Sequence, residues 1–246
     1  MKIEGRNAVA EALAAGITID RLVVQKGLRD AGAERLIADA KSRNIKIFFR
    51  EKDIMDKECG GKRHQGFIAE VTDYKYCEVE DILDCAAKKQ QTPFILILDG
   101  IEDPHNLGSI LRVAECAGVH GVIIPRHRSV TVNDTVIKVS AGAAAHMRVA
   151  KVTNLSDTIE ELKKQGIWVY CADMDGGDIY KTDLTGPVAI VVGGEGSGVG
   201  KRVKSVCDGV VALPMFGKVN SLNASVSAAV VVYEKIRQES AKANIR

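Results

Sequence analysis

The 246-residue sequence has no apolar run approaching the roughly 20 residues that a membrane-crossing helix needs. Met1 opens directly into a polar, helix-like stretch without the apolar core of a secretory signal, so a cytoplasmic protein is expected. The six cysteines stand far apart, at 59, 77, 85, 116, 171 and 207, with no Cys-x-x-Cys pair and no histidine at zinc-finger spacing. Reduced packing cysteines are therefore expected rather than a disulfide framework or a metal site. Aromatic residues make up only 4%, and the charges nearly cancel at a formal +2. That balance is too weak to announce nucleic acid, because phosphate binders concentrate their cations locally. Residues 1–72 hold fourteen Lys/Arg against eleven Asp/Glu, a modest local excess.

What is present is an ordinary globular composition, 46% hydrophobic, long enough for one large core or two small ones. The patterning favours two. Ala8, Val9, Ala12 and Leu13 recur at helical spacing, and Leu22–Gln25 reads as a β-branched strand. An amphipathic helix at Ala33–Ser42, a strand at Ile45–Phe49, a short helix at Asp53–Lys57 and a strand at Phe67–Thr72 complete an α/β unit over 1–72. Residues 73–91 turn polar around one helix at Val79–Lys89 and read as a linker. From 92 to 246, apolar runs at Phe94–Leu98, Gly121–Ile124, Arg148–Val152, Ile167–Cys171, Val188–Val192 and Gly209–Leu213 alternate with helices at Leu107–Ala117, Leu155–Lys164, Lys201–Val206 and Ser221–Gln238. Such alternation predicts a mostly parallel sheet covered on both faces.

Ligands collect at the carboxyl ends of parallel strands, so the residues following each apolar run matter most. In Asp99-Gly-Ile-Glu-Asp-Pro-His-Asn-Leu-Gly108, Pro104 fixes one backbone angle and Asn106 stands near a helix start, with Arg112 further along the helix. Asn106 and Arg112 either share the mouth of a site or serve as a cap and a solvated side chain. The glycine loop 191–200 fails the Walker pattern, with Glu195 and Arg202 at required positions. It also fails the dinucleotide pattern, with Val199 where glycine is required. Gly194-Glu-Gly-Ser-Gly198 does match the looser glycine loop of Rossmann-type methyltransferases. In those folds the loop follows the first strand, whereas fewer than fifty residues remain here. A ligand loop and a tight turn both remain open. The third segment, Leu213-Pro-Met-Phe-Gly-Lys-Val-Asn-Ser-Leu-Asn223, places Ser221 and Asn223 at a helix start, where capping is the simpler alternative to ligand contact.

Taken in order, Asp-Pro-x-Asn-x-Gly with a following Arg, Gly-x-Glu-Gly-x-Gly, and Leu-Pro-Met with Ser-Leu-Asn resemble the signature motifs of the SpoU, or TrmH, family of RNA ribose 2′-O-methyltransferases. Residues 1–72 resemble the L30-like substrate-binding domain of one branch, and within that branch the chain resembles the enzymes that methylate a guanosine of 23S ribosomal RNA. The resemblance implies a C-terminal SPOUT-type trefoil-knotted domain, a homodimer and S-adenosylmethionine as cofactor. It implies cofactor contacts at Gly193, Gly194, Leu213, Met215, Ser221 and Leu222, largely through backbone groups. It also implies a catalytic neighbourhood of Asn106, Arg112, Glu195, Ser221 and Asn223, with no metal.

In such enzymes the arginine is usually given the task of activating the 2′-hydroxyl. A guanidinium keeps its proton, so stabilising a nascent alkoxide or clamping a phosphate is the easier role for Arg112. Candidate RNA contacts are Lys62 and Arg63 in the loop Gly60–Gly66, Arg6 at the first helix start, and Arg126 and Arg128 after Pro125. Each is equally explicable as surface or helix-start chemistry. A transfer RNA methyltransferase and a non-catalytic RNA-binding protein are the competing expectations.

Overall fold

The computed structural model describes every residue except Met1, Gly16, Thr18, Asn44, 61–63, 72–73, Ser197 and 244–246. The chain divides into two compact units, Met1–Lys75 and Tyr76–Arg246.

The first unit runs β1 (Lys2–Glu4), α1 (Arg6–Ala14), β2 (Ile19–Gln25), α2 (Ala31–Ser42), β3 (Lys46–Arg50), α3 (Lys52–Glu58) and β4 (Phe67–Val71). Its sheet has the order β1-β4-β2-β3; β2 and β3 are parallel and the other pairs antiparallel. Strand alternation sorts the core onto two faces. Leu22, Val24, Phe67 and Ala69 cluster with Val9 and Leu13 of α1 and Leu36 of α2, while Val23 and Ile68 meet Met55 and Cys59. Asp30 starts α2, its carboxylate accepting the Ala33 N–H at 3.0 Å.

The second unit contains α4 (Val79–Lys88), β5 (Phe94–Asp99), α5 (Pro104–Cys116), β6 (Gly121–Pro125), α6 (Asp134–Val139), β7 (Val149–Val152), α7 (Leu155–Lys164), β8 (Trp168–Asp178), β9 (Val188–Gly193), α8 (Lys201–Val206), β10 (Gly209–Ala212) and α9 (Ala224–Ala243). All six strands pair in parallel, in the order β10-β8-β9-β5-β6-β7. Phe94–Leu98 and Val188–Val192 are buried throughout, as strands covered on both faces require. Ile95, Ile97, Ala189 and Val191 join Ile159 and Leu162 of α7 in one cluster, and α5 and α9 pack together with α9 against β9.

The stretch expected as a linker is more than a connection. From Tyr76 onward it belongs to the second unit, where the Cys77 N–H reaches the Val149 carbonyl at 3.0 Å. Ile82 of α4 is fully buried. A Cβ on Gly121 would come within 2.5 Å of Ile82, so this glycine makes room for the helix. The acidic character of the stretch belongs to a capping box, with Asp81 accepting the Glu78 N–H at 2.9 Å. No helix among the described residues is long and apolar enough to cross a membrane.

Candidate functional site

The site begins with strand register. Asp99, the last residue of β5, lies beside Gly193, the last of β9, so two loops leave the sheet as neighbours. Asp99 then holds the glycine loop at both ends: its carbonyl accepts the Gly194 N–H and its Oδ2 the Gly200 N–H, each at 2.8 Å. Two of the loop glycines are needed for close backbone approach rather than for ligand access. A Cβ on Gly193 would lie 2.2 Å from the Gly198 carbonyl carbon, and one on Gly194 would lie 2.1 Å from the Gly100 oxygen. Gly196, at φ 83°, serves the turn itself and has open space beside it.

The residue that caps α5 is Asp103, not Asn106. Asp103 accepts the His105 N–H at 3.1 Å, and Pro104 occupies the first turn, where its missing N–H costs nothing. Asn106 therefore sits inside the helix with its amide free to face across the site. Its Nδ2 donates to Glu195 Oε1 at 3.1 Å, and its Oδ1 accepts from Asn223 Nδ2 at 2.9 Å. Asn223 Nδ2 also donates to Glu195 Oε1 at 2.5 Å. The amide orientation of Asn223 follows from its other side. Oδ1 accepts the N–H groups of Ser225 at 3.0 Å and Val226 at 3.3 Å at the start of α9, leaving only Nδ2 to face Glu195. Capping and site chemistry thus coincide in one residue. Asn106 is buried, whereas Glu195 and Asn223 are exposed.

Beside this network lies a cavity of about 560 Å³. Gly193, Gly194, Glu195, Leu213, Met215, Ser221, Leu222 and Asn223 all line it. Gly108 allows the close approach of another helix: its added Cβ would be 2.7 Å from Val139 of α6. Arg112 is exposed and is not among the lining residues. Six residues beyond Asn106, it is turned roughly 240° around α5 and displaced about 9 Å along it.

The lining also includes residues the sequence reading passed over, notably Ala172, Asp173 and Met174. They follow the apolar run Ile167–Cys171, so the rule used for the other loops would have found them. β8 continues past them because its register with β10 jumps: Val210 pairs with Cys171 and Val211 with Gly177. The intervening residues bulge toward the cavity, and Gly176 passes so near Val210 that a Cβ would lie 2.6 Å from its carbonyl carbon. Lys204 Nζ stands 3.2 Å from Asp173 Oδ2 and also bonds Asp175. The Lys204 hydrogen bond holds the Asp175 carboxyl below its ordinary range. Beneath the bulge, the Cys171 thiol is pushed upward by its hydrogen bond with Cys207 and by burial.

Of the expected RNA contacts, Arg6 belongs to the first unit and Arg126 and Arg128 to the second. Arg6 makes a fork-like pair with Asp30, at 2.7 and 2.8 Å, and lies over the Phe67 ring. It is committed to its own unit rather than presented as a free cation. Arg126 and Arg128 are exposed after β6, and the Arg126 N–H bonds the Val152 carbonyl at 2.8 Å. Lys62 and Arg63 lie outside the described residues.

Comparison with known proteins matches residues 93–233 to the SpoU rRNA methylase family and residues 2–77 to an RNA 2′-O ribose methyltransferase substrate-binding domain. A Bacillus subtilis protein, YacO, assigned to the TrmH family of tRNA/rRNA methyltransferases, is 43% identical over 95% of this chain and 94% of its own. Among solved structures, the SpoU methyltransferase AviRb from Streptomyces viridochromogenes, in complex with AdoMet, is 21% identical. It has a TM-score of 0.62 over 98% of this chain and 91% of its own. An RNA 2′-O ribose methyltransferase structure is 27% identical, with a TM-score of 0.56 over 98% of this chain and 89% of its own. The chain therefore belongs to the SpoU, or TrmH, family of RNA methyltransferases, with the substrate-binding domain preceding the methylase domain in sequence.

Proposed function

We propose that this protein transfers a methyl group from S-adenosylmethionine to a ribose 2′-hydroxyl of RNA, and that the acceptor is a guanosine of 23S ribosomal RNA. The observation that carries the reading is that segments 193–200 and 213–223 line one cavity while Asn106, from the third segment 99–112, is hydrogen-bonded to Glu195 and Asn223 on its wall. The family description names ribosomal RNA, and the AviRb structure holds AdoMet.

The residues present suit this cofactor. At about 560 Å³ the cavity falls within the size range of small-molecule sites. Val192, Val211, Leu213, Met215 and Leu222 offer apolar wall, and Gly193 and Gly194 offer backbone polar groups. In this reading Gly193, Leu213 and Leu222 hold the cofactor chiefly through their main chain, with Gly194, Met215 and Ser221 beside them. When bound, S-adenosylmethionine supplies a methyl carbon made electrophilic by its sulfonium.

The chain must then orient an acceptor oxygen and dispose of its proton. Glu195 Oε1 is saturated by two amides, which fixes the carboxylate and leaves Oε2 to accept a hydrogen bond from the incoming hydroxyl. Ser221, on the cavity wall, can share that role through its own hydroxyl. Arg112 stabilises developing oxyanion charge or clamps the adjoining phosphate. Because it does not line its own chain's cavity, the reading includes a homodimer in which a second subunit brings this group to the site. The exposed Phe216, Val219, Leu222, Val226 and Tyr233 support an apolar association surface.

The test is methyl transfer by purified protein to deproteinised 23S ribosomal RNA and, separately, to transfer RNA, followed by nucleoside mass spectrometry. Formation of 2′-O-methylguanosine in the ribosomal RNA alone is expected. Modification of transfer RNA alone would move the substrate, and RNA binding without transfer would replace the enzyme with a binding protein.

A further inference from the structure

Among the described residues lining the cavity, the charged side chains are Asp173 and Glu195, and none is Lys, Arg or His. Asp173 lines the cavity, its Oδ2 lying 3.7 Å from where a side chain would begin on Gly198, another lining residue. Lys204 is drawn to both Asp173 and Asp175, so one ammonium serves two carboxylates. At the opposite side Glu195 is met by the neutral amides of Asn106 and Asn223. The cavity consequently retains negative charge that its own protein partners do not cancel.

This pattern bears on a chemical difference between cofactor and product. At neutral pH S-adenosylmethionine carries a sulfonium and an ammonium against one carboxylate, leaving a net positive charge. Once the methyl group has left, the sulfur is a neutral thioether and S-adenosylhomocysteine has no net charge. We propose that Asp173 is a specificity-determining residue that makes the cavity favour the cationic cofactor over its demethylated product, with the Lys204 ammonium partly offsetting its charge. The proposal rests on the cofactor assignment above and adds to it a charge filter that assists product exchange.

Calorimetric titration with S-adenosylmethionine, S-adenosylhomocysteine and sinefungin tests it; in sinefungin a protonated amine replaces the sulfonium. The wild-type protein is expected to bind both cationic ligands more tightly than the product. Asp173→Asn should weaken the two cationic ligands about five- to tenfold and the product less than about twofold, as expected for a partly screened charge. Asp173→Glu should restore most of the preference, which a purely structural role for the side chain would not require. Lys204→Met, by removing the competing ammonium, should widen the preference, and added salt should narrow it. Equal losses for cofactor and product in Asp173→Asn, or an unchanged ratio, would overturn the proposal while leaving the cofactor assignment standing. Failure of the wild-type protein to bind either adenosyl ligand would overturn both.

Discussion

Replacing Asn106 by Asp is nearly isosteric but turns a donor into an acceptor at the centre of the site. The Asn106 Nδ2 lies 3.1 Å from Glu195 Oε1, so the substitution sets a second carboxylate oxygen against the first. Two unit charges at that separation repel by about 5 kcal/mol at an effective dielectric near 20. Solvent at the exposed Glu195 screens this to about 3 kcal/mol. The protein can instead protonate the new group, at about 1.4 kcal/mol for each pH unit above the ordinary aspartate value near 3.9.

Like-charge contact raises the folded pKa of the new carboxyl above its unfolded value. The variant therefore approaches wild-type stability at low pH and loses it as pH rises through the raised folded pKa. The expected deficit relative to wild type is about 3 kcal/mol at pH 8 and no more than about 1.5 kcal/mol at pH 5. This corresponds to midpoint shifts of about 6–12 °C and about 3–6 °C. Trp168, the single tryptophan, lies in β8, so its fluorescence reports unfolding of the second unit specifically. A variant as stable as wild type at pH 8, or one with the same deficit at both pH values, would refute the assigned hydrogen-bond network.

Two further substitutions separate packing from chemistry. Gly194→Ala drives a Cβ to 2.1 Å from the Gly100 oxygen and should cost about 3 kcal/mol or more in denaturant unfolding. Gly196→Ala, with open space but a φ of 83°, should cost only about 1 kcal/mol, and similar losses at the two positions would show that the loop is not packed as described. Arg112→Lys keeps the charge but loses the fork, so methyl transfer should fall by most of its value while stability stays within about 0.5 kcal/mol. Undiminished turnover would remove the guanidinium from the mechanism.

The buried framework was the most legible part of the sequence. β5, β9, α7 and α8 lie at or within one residue of their expected bounds, because continuous apolar runs and strong helical periodicity leave little choice. β1 escaped notice because Lys2–Glu4 is short and polar, and its partners Ile68–Glu70 lie far along the chain. α6 is a six-residue helix, too brief for periodicity, although Asn133 capping Val136 at 3.0 Å is a local start signal. Residues 73–91 read as a linker because the exposed side of α4 within them is acidic; burial of Ile82 is a tertiary fact.

In the site, motif order brought attention to Asn106, Glu195 and Asn223 but not to their mutual bonds, which join residues 89 and 117 positions apart. Helical phase turns Arg112, six residues beyond Asn106, roughly 240° from it around α5, an angle that motif order does not display. Loop glycines were likewise visible, but whether a glycine admits a ligand or another backbone is decided only in three dimensions.

A methyl group on a ribose 2′-oxygen blocks alkaline cleavage of the adjoining phosphodiester, which makes the position of transfer directly readable. The central measurement is therefore to label RNA with methyl-tritiated S-adenosylmethionine and this protein, hydrolyse it in alkali and locate the label. Label in alkali-resistant dinucleotides, lost when Asn223→Ala is used, is the expected result. Label in alkali-released mononucleotides, or the same yield from Asn223→Ala as from wild type, would contradict ribose methylation at the cavity bounded by Glu195 and Asn223.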